Sequence, residues 1–123
     1  MNWDYIINVF PRFVDATLMT LALSFWGILL SLIIGTICAV ISTYQVKSLS
    51  WLVKSYIELS RNTPLLIQVF FLYFGLSKVG IKLDGFTCGV IGLAFLGGSY
   101  MAEAIRGGLE AVSKGQIESA LSI

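Results

Sequence analysis

The sequence predicts an all-α membrane protein with three transmembrane helices, and three observations support this fold class. Of the 123 residues, 57% are hydrophobic and only 12% are charged, whereas soluble domains carry about 25% charged residues. The charges lie between long apolar stretches, and residues 16–46 contain none. That stretch exceeds the roughly 20 residues that a spanning helix needs. A chain this apolar is expected to fold in lipid.

The first predicted span, TM1, covers residues 17–45 and follows a segment, residues 1–15, that we expect on the periplasmic or extracellular side. The stretch is too long for a signal peptide, and Asp15 lies at its edge without a preceding basic region. Small residues recur at every fourth position: Gly27, Ser31, Gly35 and Ala39. Such a face lets another helix approach closely, although incidental small residues on a lipid-facing helix are the alternative.

The second predicted span, TM2, covers residues 50–76 and is expected to be kinked or interrupted. Residues 47–61 have apolar side chains at helical spacing and alone are typical of an interfacial amphipathic helix. The apolar run that begins at Pro64 reaches only about 20 Å, less than the bilayer core of about 30 Å. The span must therefore include residues before Pro64, where proline removes the hydrogen bond to the Ser60 carbonyl.

Glu58 and Arg61 are three residues apart on this predicted helix. Ionisable groups inside a membrane usually face protein or a water-filled path and are functional. The alternative is a pair whose charged ends extend to the lipid head groups. The sequence leaves both readings open.

The third predicted span, TM3, covers residues 86–106 and follows a short polar turn. Two small-residue patterns indicate a close helix neighbour: Gly85 with Gly89, and Ala94 with Gly98 and Ala102. Ser99 is interpreted as a helix-packing residue, because the chain has no histidine to activate it.

Several classes of site are excluded or disfavoured by composition. The absence of histidine removes Ser-His and Cys-His catalysis and histidine metal sites. Without a G-x-x-x-x-G-K-[ST] motif, the chain cannot bind ATP through a P-loop. Cys38 and Cys88 lie in apolar runs and are interpreted as small buried hydrophobes. A net charge of +1 gives no reason to expect nucleic acid, and an intramembrane enzyme is disfavoured because no span carries a pair of carboxylates.

The distribution of basic residues predicts an orientation. One side of the predicted membrane carries Lys47, Lys54, Arg61, Arg106 and Lys114, and the other carries Arg12, Lys78 and Lys82. The more basic side is normally cytoplasmic. The amino terminus is therefore expected outside and residues 103–123 inside.

The segment after TM3 is predicted to bend and then form a second, short helix. Glu103 and Arg106 form an i,i+3 pair of opposite charge, and Gly107-Gly108 is expected to break or bend the helix. Ser113 and Gln116 have the spacing of a capping box, so a helix is expected to begin near residue 114. Such a helix could enter a groove on a partner, or it could be an interfacial turn.

Three motifs in order resemble the permease subunits of bacterial ABC importers for polar amino acids. The first resembles R-G-T-P-L-L-x-Q-x-F-F-x-Y-F-G and runs from Arg61 to Gly75, with Asn62 in place of glycine. The second is Tyr100-x-x-Glu103-x-x-Arg106-Gly107-Gly108. The third resembles the start of the cytoplasmic "EAA" loop and reads Gly115-Gln116-Ile117-Glu118-Ser119-Ala120, with Ser119 in place of the usual alanine.

The resemblance implies that residues 16–123 are part of an ABC type-1 transmembrane domain, with the first three of about five spans, so that the chain is expected to be a fragment. Residues 107–123 would be the coupling loop. The segment that docks the ATPase would comprise Gly115, Gln116, Glu118, Ser119 and Ala120. The residues that fix this loop to TM3 would be Glu103, Arg106, Gly107 and Gly108. Candidates for the substrate path would be Glu58, Arg61, Asn62, Thr63, Pro64 and Gln68.

The resemblance also implies partners and a location. An ABC ATPase subunit would bind ATP and Mg²⁺, so that this chain needs no cofactor of its own and is a transporter subunit rather than an enzyme. A periplasmic or lipid-anchored binding protein would deliver a polar amino acid, and a second permease copy or a sister permease would complete the pore. The chain would be a multi-pass protein of the bacterial cytoplasmic membrane. A small channel or scaffold without ATP coupling is the alternative.

Overall fold

The structure, a computed structural model, describes residues 2–44, 47–112 and 114–123, and all regular elements within these ranges are helical. The α-helices are α1 (Trp3–Thr43), α2 (Lys47–Asn62), α3 (Leu65–Phe70), α4 (Gly85–Ala111) and α5 (Lys114–Leu121). A π-helical turn, Phe71–Gly75, and a 3-10 turn, Leu76–Val79, follow α3. The prediction of an all-α chain is confirmed. The predicted helix cap at Ser113 lies outside the described residues.

Helix α1 packs on α4 through the predicted face of small residues. Its buried residues are Gly27, Ser31, Gly35, Cys38 and Ala39. A Cβ atom placed on Gly27 would lie 3.1 Å from Leu93 Cβ. A Cβ atom on Gly35 would lie 2.9 Å from the backbone nitrogen of Ala102 and against Met101. Glycine therefore sets the distance between the two helix backbones.

Helices α1 and α4 run parallel. Four contacts along their seam join residue n of α1 to residue n + 66 of α4: Leu23 to Gly89, Gly27 to Leu93, Ser31 to Gly97, and Gly35 to Met101. Parallel neighbours require the chain between them to return over the same distance. Residues 47–79 make that return, because Ser60 contacts Phe95 whereas Val69, later in the chain, contacts Gly92, earlier in α4.

The return segment is interrupted where the sequence predicts. Helix α2 ends at Asn62, and Pro64 has extended backbone angles, φ −58° and ψ 142°. The Gln68 side-chain amide donates from Nε2 to the carbonyls of Ser60, at 3.3 Å, and Thr63, at 2.9 Å. Gln68 thus adds to the Thr63 amide, which donates to the Ser60 carbonyl at 3.4 Å, where Pro64 has no N–H to offer. Gly80, at φ 93°, ends the 3-10 turn in the left-handed conformation that glycine tolerates.

Helix α4 has a defined beginning and extends further than predicted. Asp84 caps its first turn by accepting a hydrogen bond from the Thr87 amide at 3.2 Å. Hydrogen bonds from the Thr87 side chain and amide lower the pKa of Asp84, so the cap is a carboxylate at neutral pH.

Two boundaries and one ion pair differ from the sequence predictions. Helix α1 begins at Trp3 rather than near residue 17. Helix α4 continues through Gly107 and Gly108 to Ala111, so the predicted break is wrong. Arg106 pairs with Glu110, at 3.0 Å, rather than with Glu103. This i,i+4 pair bridges the two glycines and supports the helix across them.

Two helices, α1 and α4, are long and apolar enough to cross a membrane. Only 28% and 33% of the most apolar 18-residue stretches of α1 and α4 are buried within the structure. The buried residues are mostly small, whereas many large apolar side chains are exposed. The three predicted spans therefore correspond to two continuous helices and a divided middle segment, whose apolar part is residues 65–79.

We predict that Gly35→Ala destabilises the α1–α4 seam by about 1–3 kcal/mol, because the added methyl group has no space between the backbones. The measurement is unfolding of the chain in mixed micelles. Gly107→Ala is the matched control, since a Cβ atom there meets nothing within 4 Å; it should be neutral or slightly stabilising. Equal losses of unfolding free energy in the two variants would contradict the close packing of α1 against α4.

We predict that Gln68→Met destabilises the chain by about 1–3 kcal/mol, because the Ser60 and Thr63 carbonyls lose a donor inside an apolar environment. The loss should shrink in a Pro64→Ala background, where a backbone N–H becomes available to Ser60. A double-mutant cycle measures this coupling. Leu66→Met, at an exposed neighbouring position, is the control and should change little. Additive effects of Gln68→Met and Pro64→Ala would refute the interpretation.

Candidate functional site

The predicted site residues form three groups in the structure. Four of the predicted site residues are charged and line one groove of about 690 Å³ between α2 and the carboxyl-terminal ends of α1 and α4: Glu58, Arg61, Glu103 and Arg106. This surface is called the charged groove below. Its remaining lining residues are Ser42, Lys47, Ser50, Trp51, Val53, Lys54 and Ile57. The sequence assigned the first pair to a substrate path and the second pair to the loop, and the structure brings both pairs together.

The charged groove contains both signs of charge on two neighbouring helices. The Arg61 guanidinium lies 5.1 Å from the centre of the Tyr100 ring of α4, a cation–π contact. Arg106 is held by Glu110, while Glu103 is partly buried beside it. Guanidinium and carboxylate groups facing one groove can bind the carboxylate and the ammonium of a zwitterion.

The register of α1 and α4 places the charged groove at the edge of the apolar layer. The uncharged part of α4, residues 85–102, lies beside residues 19–36 of α1, which are also uncharged. This shared layer is about 27 Å thick, close to a bilayer core of about 30 Å. Tyr100 lies near its end, and Glu103 lies beyond it. Glu58 and Arg61 line the groove at this edge of the layer.

The second group surrounds the interruption at Pro64. Asn62 Nδ2 donates to the Glu58 carbonyl at 2.7 Å, and Thr63 Oγ1 donates to the Leu59 carbonyl at 2.8 Å. Together with Gln68, these side chains satisfy carbonyls at the end of α2. Their donor groups are therefore engaged by carbonyls of the same segment and are not directed towards a ligand.

An apolar cavity of about 380 Å³ lies beside this interruption. Thr63 and Gln68 are its polar lining residues, and the others are Leu59, Ile67, Phe71, Leu72, Ile91, Gly92 and Phe95. Gln68 Oε1 is buried and has no hydrogen-bond partner within the described part of the chain. An acceptor is therefore available next to the broken helix.

Sequence reasoning missed the polar contacts that join α2 to α4. The hydroxyl groups of Tyr56 and Ser60 both donate to the Phe95 carbonyl, the Ser60 bond being 3.0 Å long. The Ser99 hydroxyl donates to the Leu96 carbonyl at 2.7 Å and lies 3.1 Å from the Ser60 hydroxyl oxygen, which agrees with its interpretation as a packing residue. The available signal was the i,i+4 spacing of Tyr56 and Ser60, which places both on one helix face.

The third group lies on α5, which begins near residue 114 as the sequence predicts. It carries Gly115, Gln116, Glu118, Ser119 and Ala120. The Ser119 hydroxyl donates to the Gly115 carbonyl at 2.8 Å within the helix. The Ser119 hydroxyl is therefore satisfied within its own helix, so serine fits at a position where the resembled motif has alanine.

Helix α5 stands apart from the helices that form the seam. Among the described residues, it packs against none of the other helices. Its apolar residues Ile117 and Leu121, on one face, are 49% and 81% exposed. In the same described ranges, no cluster of three or more His, Cys, Asp or Glu side chains could hold a metal ion.

Comparisons with known proteins agree with this architecture. Residues 27–123 match the family described as "Binding-protein-dependent transport system inner membrane component". The "Probable glutamine ABC transporter permease protein GlnM" of Bacillus subtilis (strain 168) is 39% identical over 99% of this chain and 56% of its own length. The "Probable amino-acid ABC transporter permease protein PatM" of Vibrio harveyi is 34% identical over 99% of this chain and 56% of its length.

A solved structure shows the same fold. A crystal structure of an amino acid ABC transporter with histidines aligns with a TM-score of 0.88 at 35% identity, covering 99% of this chain and 57% of the chain in that structure. The chain spans about half the length of the curated relatives it matches. With the family model matching residues 27–123, the chain belongs to the family of inner membrane components of binding-protein-dependent transport systems.

Proposed function

We propose that the chain is part of a permease subunit that imports a polar amino acid, driven by a separate ABC ATPase. The observation that carries the proposal is the combination of the family match with a short, exposed helix, α5, at the end of a continuous α4. The ATPase binds α5, and its ATP and Mg²⁺ stay on that partner. A binding protein delivers the substrate, and a second permease copy or a sister permease completes the pore.

The divided segment 47–79 is proposed as the middle of three membrane crossings. Support comes from the parallel register of α1 and α4, because two parallel neighbours place the start of α2 and the start of α4 at opposite ends of the layer. Broken helices at membrane depth are tolerated where protein or a water-filled path covers them. The carboxyl-terminal ends of α1 and α4 then both face the cytoplasm, as the distribution of basic residues predicts.

The substrate path is proposed to pass between the charged groove and the interruption at Pro64. The groove offers donors on Arg61 and acceptors on Glu58, and Gln68 Oε1 is a further acceptor beside the cavity. A zwitterionic amino acid needs both kinds of group. Transport follows from alternating access, in which each nucleotide state of the ATPase favours one conformation of the helices, and α5 with α4 transmits that preference.

We predict that Ile117→Asp with Leu121→Asp reduces co-purification of an amino-acid importer ATPase with the tagged chain at least about tenfold, because charges replace the apolar face that enters the partner. Val79→Asp with Ile81→Asp is the matched control. Those residues are 73% and 50% exposed at the other end of the fold, and the control should retain the ATPase. Retention by both double variants would defeat the assignment of α5 as the docking helix. Failure of the unmodified chain to co-purify any ATPase would favour a channel or scaffold without ATP coupling.

We predict a sided pattern of thiol labelling in intact cells for three single cysteine variants. Lys82→Cys should react with a membrane-impermeant maleimide from outside, whereas Lys54→Cys and Ser119→Cys should react only after the membrane is opened. Cys38 and Cys88 are 7% and 0% exposed and should contribute little background. Labelling of Lys82→Cys and Lys54→Cys from the same side would show that segment 47–79 does not cross.

A further inference from the structure

We propose that the head group of an anionic phospholipid binds at the outer rim of the charged groove, between Lys47 and Lys54 of α2. Trp51 lies between these two residues and lines the same groove. The three residues are called the cationic rim below. The proposal requires that the chain lies in a bilayer, and it is independent of which solute is transported or whether an ATPase binds.

Helical geometry places the cationic rim on one face. Lys47 and Lys54 are seven residues apart, which is two helical turns and about 10 Å along the axis. Trp51 is four residues from one and three from the other, so all three side chains lie in one row. Arg61 is seven residues beyond Lys54 and continues the row towards the membrane.

The depth of the cationic rim is that of lipid phosphates. Tyr56 reaches the Phe95 carbonyl, so residues that precede it in the antiparallel α2 lie towards the end where the charge-free layer of α4 stops. Trp51 is 69% exposed there, and tryptophan favours the membrane–water interface. Basic pockets between membrane helices on the cytoplasmic side are suited to anionic head groups.

Within the described part of the chain, no carboxylate forms a salt bridge with the lysines of the cationic rim. Glu58 lies four residues from Lys54, and Glu103 faces the same groove, yet within the described ranges the lysines form no salt bridge. The other two cations are engaged, Arg61 with Tyr100 and Arg106 with Glu110. The two lysines are therefore the cations available to a phosphate.

A polar atom in the same groove also lacks a partner. The Ser50 hydroxyl lines the charged groove, is buried, and has no hydrogen-bond partner in the described part of the chain. A rotation about the Ser50 Cα–Cβ bond would turn this hydroxyl towards the groove, where a phosphate oxygen between Lys47 and Lys54 would accept from it. A buried hydroxyl without a partner is unfavourable, and a bound head group removes that penalty.

The test uses tryptophan fluorescence of the full chain in phosphatidylcholine vesicles that contain a minor fraction of phosphatidylglycerol. Trp3→Phe and Trp26→Phe leave Trp51 as the reporter. Phosphatidylglycerol with brominated acyl chains should quench Trp51 more than brominated phosphatidylcholine at equal mole fraction. In the double variant Lys47→Gln with Lys54→Gln, the preference for phosphatidylglycerol over phosphatidylcholine should fall about tenfold. The reason is that each lysine near the surface contributes to the binding of anionic lipid.

Lys78→Gln with Lys82→Gln is the matched control. It removes the same charge from two exposed lysines at the opposite end of the fold, and the preference should remain. Lys47→Arg with Lys54→Arg should retain it as well. If circular dichroism shows that the glutamine variant is misfolded, the arginine variant and a salt titration of the wild-type chain decide, since added salt should weaken the preference.

Three results would overturn the proposal. Equal quenching of the wild-type chain by the two brominated lipids would mean that no anionic head group is preferred. Equal losses in the two glutamine double variants would indicate a general effect of net charge. Displacement of brominated phosphatidylglycerol by millimolar inorganic phosphate would identify the groove as a site for soluble phosphate instead of lipid.

Discussion

The close approach of α1 and α4 is the constraint on which the rest of the structure depends. Glycines at 27 and 35 let the two helices meet with little space for a side chain between them. In lipid, where exposed apolar surface carries no penalty, such van der Waals contact is a main source of helix association. Because the two helices are parallel, their contact also determines the path of segment 47–79, which must return along α4 and find its own polar contacts there.

The return segment illustrates how a broken helix can be stable in an apolar environment. Every backbone carbonyl freed by Pro64 would be unfavourable without a donor. Side chains from the same segment supply those donors, with Gln68 reaching back to Ser60 and Thr63. Tyr56, Ser60 and Ser99 then join the segment to α4. The interruption is thus built into the local sequence and needs no ligand to maintain it.

Much of this fold could be predicted because apolar length, small-residue spacing and proline act locally. The face of Gly27, Ser31, Gly35 and Ala39 and the interruption at Pro64 are examples, as is the start of α5. Three features could not be predicted. The first is the persistence of α4 through Gly107 and Gly108, because each glycine costs about 1 kcal/mol of helix stability and the exposed Arg106–Glu110 pair offsets only a small part of that cost. The second is that the Phe95 carbonyl accepts hydrogen bonds from two hydroxyl groups. The third is that one groove collects the charged residues Glu58, Arg61, Glu103 and Arg106. Both depend on how α2 aligns with α4, which only tertiary packing determines.

The unbroken length of α4 has a mechanical consequence. A rod of 27 residues is about 40 Å long, and the seam with α1 grips it between Gly89 and Ala102. Its last turns, 103–111, extend beyond that grip without a break in the helix. A rotation of the whole helix by about 5° about its far end would carry the base of α5 through about 3.5 Å. A displacement at one end of α4 therefore reaches the other end only while the helix stays intact through Gly107 and Gly108.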